Sequence, residues 1–197
     1  NEVTLQWTEP DIEGGDPVWY IADFEYGSTG EFAEIPDPWS IGNADTASSQ
    51  WMTFPENGSY FLYLNDDALG AGADSTGGIY AVTNDLDLSG YGYSLYDLAL
   101  AMDVYFPQFD GDCGSGNSYS DEAWVYIVLD TQHVAAVPFT SADAWISWEI
   151  ELATWFSELG DYWPSTISLA LQYDDCGGNW GYGVGIDNIV LQTPYLQ

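Results

Sequence analysis

The chain has 197 residues, with 32 aspartates and glutamates, no lysine or arginine, one histidine and a formal net charge of −32. A protein without basic side chains cannot gain affinity for phosphates by releasing counterions, so nucleic acid and anionic membrane surfaces are excluded as partners. Hydrophobic residues make up 46% of the chain, including 10 Trp, 15 Tyr and 8 Phe, so the composition predicts a folded domain rather than disorder.

Three explanations of this charge remain open. An acidic surface keeps a protein hydrated in strong brine, the loss of cationic side chains removes the sites that trypsin-like proteases cut, and carboxylates can bind divalent ions that hold an assembly together. The second explanation points outside the cell. Since no apolar run is long enough to span a membrane and the start NEVTLQW does not resemble a signal peptide, we expect an exported protein whose signal peptide has been removed.

Alternation of polar and apolar residues with a period of two dominates the chain and predicts strands. The predicted strands, in chain order, are residues 18–26, 59–65, 79–84, 98–106, 124–130, 145–152, 167–173 and 184–192. In WISWEIEL, for example, Ile146, Trp148 and Ile150 share one face while Ser147 and Glu149 share the other. Strands of this kind, separated by Gly, Asp, Asn and Pro, indicate an antiparallel sandwich or barrel.

Residues 1–17 precede these strands and also alternate, so we predict an extended N-terminal arm followed by a single domain over 18–197. Such an arm can add a strand to the sheet of a neighbouring subunit. The stretch 152–163 supplies either one helical turn or a loop after a strand.

The two cysteines, Cys113 and Cys176, lie in similar loops rich in Gly and Asp, each of which follows an apolar strand. A disulfide between them would close a loop of about 60 residues and contribute on the order of 4 kcal/mol in the chain-entropy model, which fits an oxidising compartment. Two free thiols remain the alternative. Two thiols and one distant histidine do not match the ligand spacing of a zinc site.

No motif favours catalysis. His133 lies in the turn-like stretch DTQHVAAVP, which predicts a surface loop, and the nucleophile motif G-x-S-x-G is absent from the chain. With 32 acidic residues some pair of carboxylates will always suit a glycosidase, so such a pair has no specificity. We therefore expect a protein that is not an enzyme.

The order of several segments resembles a known family. The segments are DFEYGST, NGSYFLYLNDDA, DLDLSGY, DEAWVYIVLD, AWISWEIELA and ISLALQYDDCGGNWGYGVGIDNIVL. In this order they resemble the MAM-like jelly-roll modules, which include the choice-of-anchor J and cleaved-adhesin domains of type IX-secreted Bacteroidetes surface proteins. The resemblance runs from Asp23 to Leu191 and is most specific at its end. It implies an all-β, two-sheet antiparallel jelly-roll sandwich that is a non-catalytic part of an adhesin or other surface protein. The missing basic residues depart from the family pattern.

The resemblance also implies calcium. Related jelly rolls hold a structural calcium ion between the first and last strands, which assigns Glu25 and Asp187 as its ligands. Calcium is coordinated by carboxylate, amide and backbone oxygens, and Asp66 and Asp67 in NDDA are candidates to join this site or form a second one. A third candidate group consists of Asp110, Asp112, Asp174 and Asp175. The alternative is that these acids are solvated turn residues.

Four aromatic residues in loop-like segments are candidates to stack on sugars or to form contacts between subunits: Trp39, Trp51, Trp180 and Tyr182. The alternative is that they cover the ends of the core. Trp7, Trp155 and Trp163 would join them in subunit contacts.

Short patterns also predict attached sugars. Thr46 in Asp-Thr-Ala and Ser75 in Asp-Ser-Thr match the pattern at which Bacteroidetes O-glycosylate exported proteins, and Asn57 begins an N-glycosylation sequon.

Taken together, these features predict an extracellular, calcium-stabilised jelly-roll protein that serves as a structural or adhesive component of a surface. Its partners would be further copies of itself, in a protease-resistant filament, or neighbouring surface proteins. The alternative function is a carbohydrate-binding module with glycans as partners.

Overall fold

A computed structural model describes residues 17–58, 60–70, 79–87, 89, 98–107, 110–112, 118–129, 132–156, 165–175 and 181–192. Several predicted features lie outside the described residues: the Cys113–Cys176 disulfide, Trp180, Ser75, Trp7, Trp163 and the N-terminal arm up to residue 16.

The described residues form two antiparallel sheets of six strands each and a separate hairpin. The first sheet contains, in spatial order, β12 (Ala142–Glu151), β7 (Ala99–Phe106), β14 (Gly183–Gln192), β4 (Phe61–Asn65) and β3 (Ser40–Gly42), with β1 (Pro17–Ala22) also paired to β14. The second contains β11 (Gln132–Pro138), β10 (Glu122–Leu129), β13 (Thr166–Asp174), β5 (Tyr80–Thr83) and β2 (Phe32–Glu34), with β6 (Leu86–Asp87) also paired to β13. The hairpin consists of β8 (Asp110–Asp112) and β9 (Ser118–Ser120).

Helical structure in the described residues is short. It comprises α1 (Ala44–Ala47), α2 (Asp66–Leu69), α3 (Leu152–Phe156) and a 3-10 turn at Glu25–Gly27. The described part of the chain has no helix with the length and apolar character needed to cross a membrane. The architecture is the two-sheet antiparallel jelly-roll sandwich that the sequence predicted.

The core lies between the two sheets and follows the alternation in the sequence. On β13, Ile167, Leu169, Leu171 and Tyr173 are each no more than 1% exposed and join one hydrophobic cluster. Successive side chains of a strand point to opposite faces, so this alternation places the four side chains on the inner face of the second sheet. The partners that face them on the first sheet include Leu62 and Leu64 of β4, Leu100 and Val104 of β7, and Ile186 of β14.

The outer face of the first sheet is also covered. The segment from α1 to Gly58 lies on it, and Met52 and Phe54 of this segment pack with Phe61 and Tyr105 in a second hydrophobic cluster. The indole N–H of Trp145 donates to the carbonyl of Pro55 at 2.8 Å and fixes the segment to β12. This packing explains why β7 is buried along most of its length, and it places Asn57 against Asp103 of β7 and Asp187 of β14.

Two predicted elements differ from the structure. The predicted strand 18–26 ends at Ala22, because Phe24 and Tyr26 have left-handed backbone conformations (φ 53° and 56°) that an extended strand excludes. His133 does not lie in a loop but in β11, an edge strand that the sequence analysis missed.

Candidate functional site

Two carboxylates meet directly across neighbouring strands of the first sheet. Asp187 of β14 is the Cα partner of Asp103 of β7, and Asp103 is in turn the partner of Ser147 on β12. Like charges placed directly opposite each other destabilise a sheet. Asp187 is 1% exposed, so water does not screen this repulsion.

The turn after β1 brings two more acids to the same place. Asp23 and Glu25 both raise the pKa of Asp187, so the structure unites the predicted pair Glu25 and Asp187 at the junction of the first and last described strands. Asp103, which the sequence analysis did not select, belongs to the same group. We call Asp187, Asp103, Glu25 and Asp23 the Asp187 cluster.

The backbone is strained on both sides of this cluster. Among the described residues other than glycine, positive φ angles occur at Phe24, Tyr26 and Asn188, which flank Glu25 and Asp187. Each such conformation costs about 1 kcal/mol for a residue with a side chain. Backbone strain of this kind persists only where the surrounding contacts hold the residue in its conformation.

A loop closes over the Asp187 cluster from the outer face of the sheet. The side-chain amide of Asn57 donates to Asp187 Oδ2 at 3.1 Å and to Asp103 Oδ2 at 3.4 Å. The Asn188 amide donates to Asp103 Oδ2 at 2.8 Å. A Cβ added to Gly58 would lie 2.6 Å from Glu25 Oε1, so the glycine allows the loop to approach the carboxylate closely.

Burial raises the pKa of Asp187 to about 8, and the negative charges of Asp103, Glu25 and Asp23 act in the same direction. The backbone N–H of Asn188 donates to Asp187 Oδ1 at 2.8 Å and opposes this shift only in part. The cluster therefore favours any positive charge that can enter it, whether a proton or a cation.

Asp66 and Asp67 do not join the Asp187 cluster. Asp66, the first residue of α2, lies 3% exposed at another end of the sandwich, where burial and the charges of Asp175 and Asp121 raise its pKa to about 6. Asp67 points elsewhere, because its Oδ2 accepts from the Ser49 hydroxyl and from the Trp51 backbone N–H at 3.1 Å. The two neighbouring acids thus have different roles.

Asp66, Asp121 and Asp175 form a second acidic group, which we call the Asp66 cluster. Asp121 precedes β10 and Asp175 follows β13, and the hydroxyl of Tyr173 donates to Asp121 Oδ2 at 2.8 Å. Burial and the Asp121 charge raise the pKa of Tyr173 well above its usual value, so its hydroxyl remains a proton donor. Within the described ranges, no three Asp, Glu, His or Cys side chains already have the arrangement that holds a metal ion.

The third predicted acidic group is only partly visible. Asp110 and Asp112 pair through their backbones with Ser120 and Ser118 in the hairpin, and their side chains lie outside what the structure describes. Asp175 belongs to the Asp66 cluster, and it is 0% exposed.

The predicted surface aromatics have different locations. Trp39 is 1% exposed and its indole N–H donates to the carbonyl of Ile79 at 3.2 Å. It is therefore a core residue, which agrees with the alternative interpretation of these aromatics and not with a role in stacking on sugars. Tyr182 is half-buried against the outer cluster of the first sheet. Trp51 is 65% exposed. Trp155, predicted for subunit contacts, packs in the main core.

A group of aromatic side chains that the sequence analysis did not select lies on the outer face of the second sheet. The ring of Tyr126 lies 6.4 Å from that of Trp124, 5.7 Å from that of Tyr80 and 4.8 Å from that of His133. The planes of Trp124 and His133 are tilted by 33° and 35° from the plane of Tyr126. We call these four residues the aromatic face.

A groove lies next to the aromatic face, along β13 on the outer side of the second sheet. On β13, between β10 and β5, the outward residues Ser168 and Ala170 are small and buried. Larger side chains rise on both sides, with Tyr126 opposite Ala170 on β10 and Val82 opposite it on β5. The rings of Tyr126 and Tyr80 meet 5.7 Å apart across β13 and cover Ala170, which is 0% exposed. The open part lies further along the strand and is a groove of about 590 Å³, which we call the trough, lined by Val82, Asp85, Val128, His133, Thr166 and Ser168.

The predicted O-glycosylation residue Thr46 is exposed, but its hydroxyl accepts a hydrogen bond from the Asn43 backbone N–H at 3.0 Å in the cap of α1. An attached sugar would disturb this cap. A sugar on Asn57 would replace the amide contacts to Asp187 and Asp103.

No protein-family model matches the chain, and no curated protein matches it significantly. Solved structures match it at low identity. SGBP-B from a complex xyloglucan utilization locus in Bacteroides uniformis has a TM-score of 0.49 at 11% identity, with 88% of this chain and 49% of that chain covered. This chain therefore spans about half the length of SGBP-B.

A family 30 carbohydrate-binding module of a cellulosomal cellulase of Clostridium thermocellum has a TM-score of 0.46 at 15% identity, covering 92% of this chain and 93% of that chain. A Stig cyclase, Fisc from Fischerella sp. TAU, has a TM-score of 0.43 at 13% identity, covering 92% and 98%. Identities of 11 to 15% at TM-scores below 0.5 do not show what this chain binds.

Proposed function

We propose that this protein is a non-catalytic carbohydrate-binding module whose ligand lies in the trough on the outer face of the second sheet. The observation that carries the proposal is the trough itself, which His133, Val128 and Ser168 line directly beside the aromatic face. This is the alternative function that the sequence analysis gave, on a different set of residues.

The chemistry of the trough suits a sugar ring. A sugar has an apolar C–H face that packs on an aromatic ring, and hydroxyl groups at its edge that need hydrogen-bond partners. His133 supplies a ring face in the groove, and the ring of Tyr126 lies 4.8 Å from it. Asp85 and Ser168, linked by a 2.8 Å hydrogen bond, supply polar groups. Binding sites typically combine an apolar lining with a few fixed polar groups in this way.

The charge of the chain restricts the class of glycan. With no lysine or arginine and a net charge of −32, the protein repels polysaccharides that carry carboxylate or sulfate groups. The ligand is therefore a neutral glycan, or one that carries amino groups.

Tyr126→Ala is expected to weaken binding of the best neutral glycan, identified on a glycan array, by roughly tenfold or more. The loss of a ring face beside the trough is the physical cause. His133→Ala, which alters an exposed side chain of the same face, is expected to act in the same direction. Isothermal titration calorimetry on the intact chain measures both effects.

The matched control is Trp51→Ala, because Trp51 is an exposed aromatic residue outside the aromatic face. It is expected to leave the affinity unchanged, and melting temperatures check that each variant folds. If Trp51→Ala abolishes binding while Tyr126→Ala and His133→Ala do not, the trough is not the site.

We further propose that the Asp187 cluster holds a structural calcium ion. Two features support this: the donors are carboxylate and amide oxygens, which calcium prefers, and Gly58 leaves room for a close approach to Glu25. Bound there, calcium would supply the positive charge that the chain itself lacks. Glu25, Asp187 and Asp103 would hold it.

Gly58→Ala is expected to reduce calcium affinity by roughly tenfold, because the added Cβ displaces the Glu25 carboxylate. Gly70→Ala is the matched control, since Gly70 also has a positive φ (81° against 61° for Gly58) but a Cβ there meets no atom within 4 Å. Calcium titration followed by calorimetry compares the two. Equal affinities in both variants would contradict the role of Gly58.

A structural or adhesive role in a filament remains a prediction, and fewer residues now support it, since Trp39 and Trp155 are core residues. An extracellular location agrees with both proposals, because glycans and millimolar calcium occur outside cells and a chain without lysine or arginine resists trypsin-like proteases.

A further inference from the structure

The Asp66 cluster contains three carboxylates that are almost completely buried. Asp66, Asp121 and Asp175 are 3%, 1% and 0% exposed. They come from three separate segments: the first residue of α2, the residue before β10 and the residue after β13. Because α2 directly follows β4, the cluster joins the first sheet to the second at one end of the sandwich.

The protein supplies part of the hydrogen bonding that these groups need. Asp66 Oδ2 accepts from the Gly181 backbone N–H at 2.7 Å, and Asp121 Oδ2 accepts from the Tyr173 hydroxyl at 2.8 Å and the Tyr182 backbone N–H at 3.3 Å. Asp66 Oδ1, in contrast, is buried and has no hydrogen-bond partner among the described residues. A buried polar oxygen without a partner in the fold needs a water molecule or an ion to satisfy it.

The chain has no side chain that can balance these charges. It contains no lysine or arginine, and its one histidine lies on the aromatic face with Tyr80 and Tyr126. Burying a carboxylate without a positive partner costs several kcal/mol. The compensating charge must therefore come from solution.

We propose that Asp66, Asp121 and Asp175 bind a divalent cation, with calcium as the fitting ion, at a site separate from the Asp187 cluster. Asp66 Oδ1 is its first ligand. Only oxygen donors are present among these three side chains, which favours calcium over zinc. No three acidic side chains of the described residues are pre-arranged for a metal, so the ion draws the carboxylates together as it binds.

Asp67 is not a ligand of this site. Its Oδ2 already accepts from Ser49 and from the Trp51 backbone, which directs the side chain to the loop before β4. Asp66 and Asp67 therefore form a natural pair for an experiment: each substitution to Asn removes one carboxylate from α2, but only one removes a proposed ligand.

Calcium titration of the intact, chelator-treated protein tests the proposal, with the number of bound ions as the readout. Wild type is expected to bind an ion in each of the two clusters. Asp66→Asn and Asp175→Asn are each expected to lose one ion, whereas Asp67→Asn retains the wild-type number. Asp187→Asn, in the other cluster, is expected to lose the other ion, so failure of either site is seen independently of the other and of glycan binding.

Terbium gives a second measurement, because a Tb³⁺ ion in the Asp66 cluster lies beside Tyr173 and is sensitised by its ring. Terbium emission on excitation of the aromatic residues is expected to fall in Asp66→Asn and to persist in Asp187→Asn. An ion count and a terbium signal that do not change in Asp66→Asn or Asp175→Asn would overturn the proposal, and the cluster would then be neutralised by protons alone. Circular dichroism confirms that each variant is folded.

Discussion

At pH 8 in a chelator, Asp187→Asn is expected to be more stable than wild type by roughly 2 kcal/mol or more, and in millimolar calcium it is expected to be less stable. The pKa of Asp187 is about 8 in the folded protein, against an unperturbed pKa of 3.8. At pH 8 about half of the metal-free folded molecules therefore keep a proton on Asp187, and the rest carry a buried charge, whereas the unfolded chain is fully ionised. Asparagine is neutral at every pH and removes this cost, but it is a poor calcium ligand.

The same two pKa values determine how the stability of the metal-free protein changes with pH. A raised carboxyl pKa gives stability that is fully present below about pH 4 and is lost as the pH rises towards 8, by up to about 1.4 kcal/mol per pH unit. The groups that face Asp187 are Asp103 of β7 and the acids Asp23 and Glu25 of the turn after β1. Calcium reverses the trend, because a proton competes with the metal for the carboxylate.

Urea denaturation from pH 5 to pH 9, in chelator and in calcium, measures this crossover. Glu151→Gln is the matched control, because it removes an exposed carboxylate of β12 and is expected to change stability equally in both conditions. A variant Asp187→Asn that is destabilised to the same extent with and without calcium would show that the Asp187 cluster holds no ion.

Gly30→Ala is expected to destabilise the protein by about 3 kcal/mol or more, whereas Gly27→Ala costs about 1 kcal/mol. Both glycines have left-handed conformations, with φ of 53° and 76°. A Cβ on Gly30 would overlap the Ile21 carbonyl oxygen and lie 2.6 Å from the Ala22 Cβ, whereas a Cβ on Gly27 meets no atom within 4 Å. Both substitutions add the strain of a positive φ, but only Gly30→Ala disturbs the contact with β1. The difference between their free energies of unfolding therefore measures that contact alone.

Urea denaturation in chelator compares the two variants without any contribution from calcium. Similar losses of stability in Gly30→Ala and Gly27→Ala would mean that the turn moves to accept the added Cβ at little cost and that it does not hold β1 in place.

The sequence was sufficient to predict strands where large apolar residues alternate with polar ones. On β13, Ile167, Leu169 and Leu171 specify the inner face, and the structure confirms it. β11 was missed because its stretch contains two adjacent alanines and ends in Pro138, a residue that reads as a turn and is tolerated on the edge strand it occupies.

The sites were harder to predict because they depend on pairing between distant strands. Asp103 lies in the middle of an apolar strand and becomes part of the Asp187 cluster only through its register with Asp187. The aromatic face did leave a signal: in β10, Trp124 and Tyr126 occupy the alternate positions that face away from the core. Several large aromatic side chains grouped on the outer face of a sheet are typical of an interaction surface.

Pro17 and Gln192 are Cα partners at one end of the antiparallel pair formed by β1 and β14. Chain that continues beyond these two residues starts from the same end of this strand pair, so a mechanical pull between its two ends acts along the hydrogen bonds rather than across them. Under load the strands would unzip one residue pair at a time, starting at Pro17. The 3-10 turn at Glu25–Gly27, which follows β1, would be reached last.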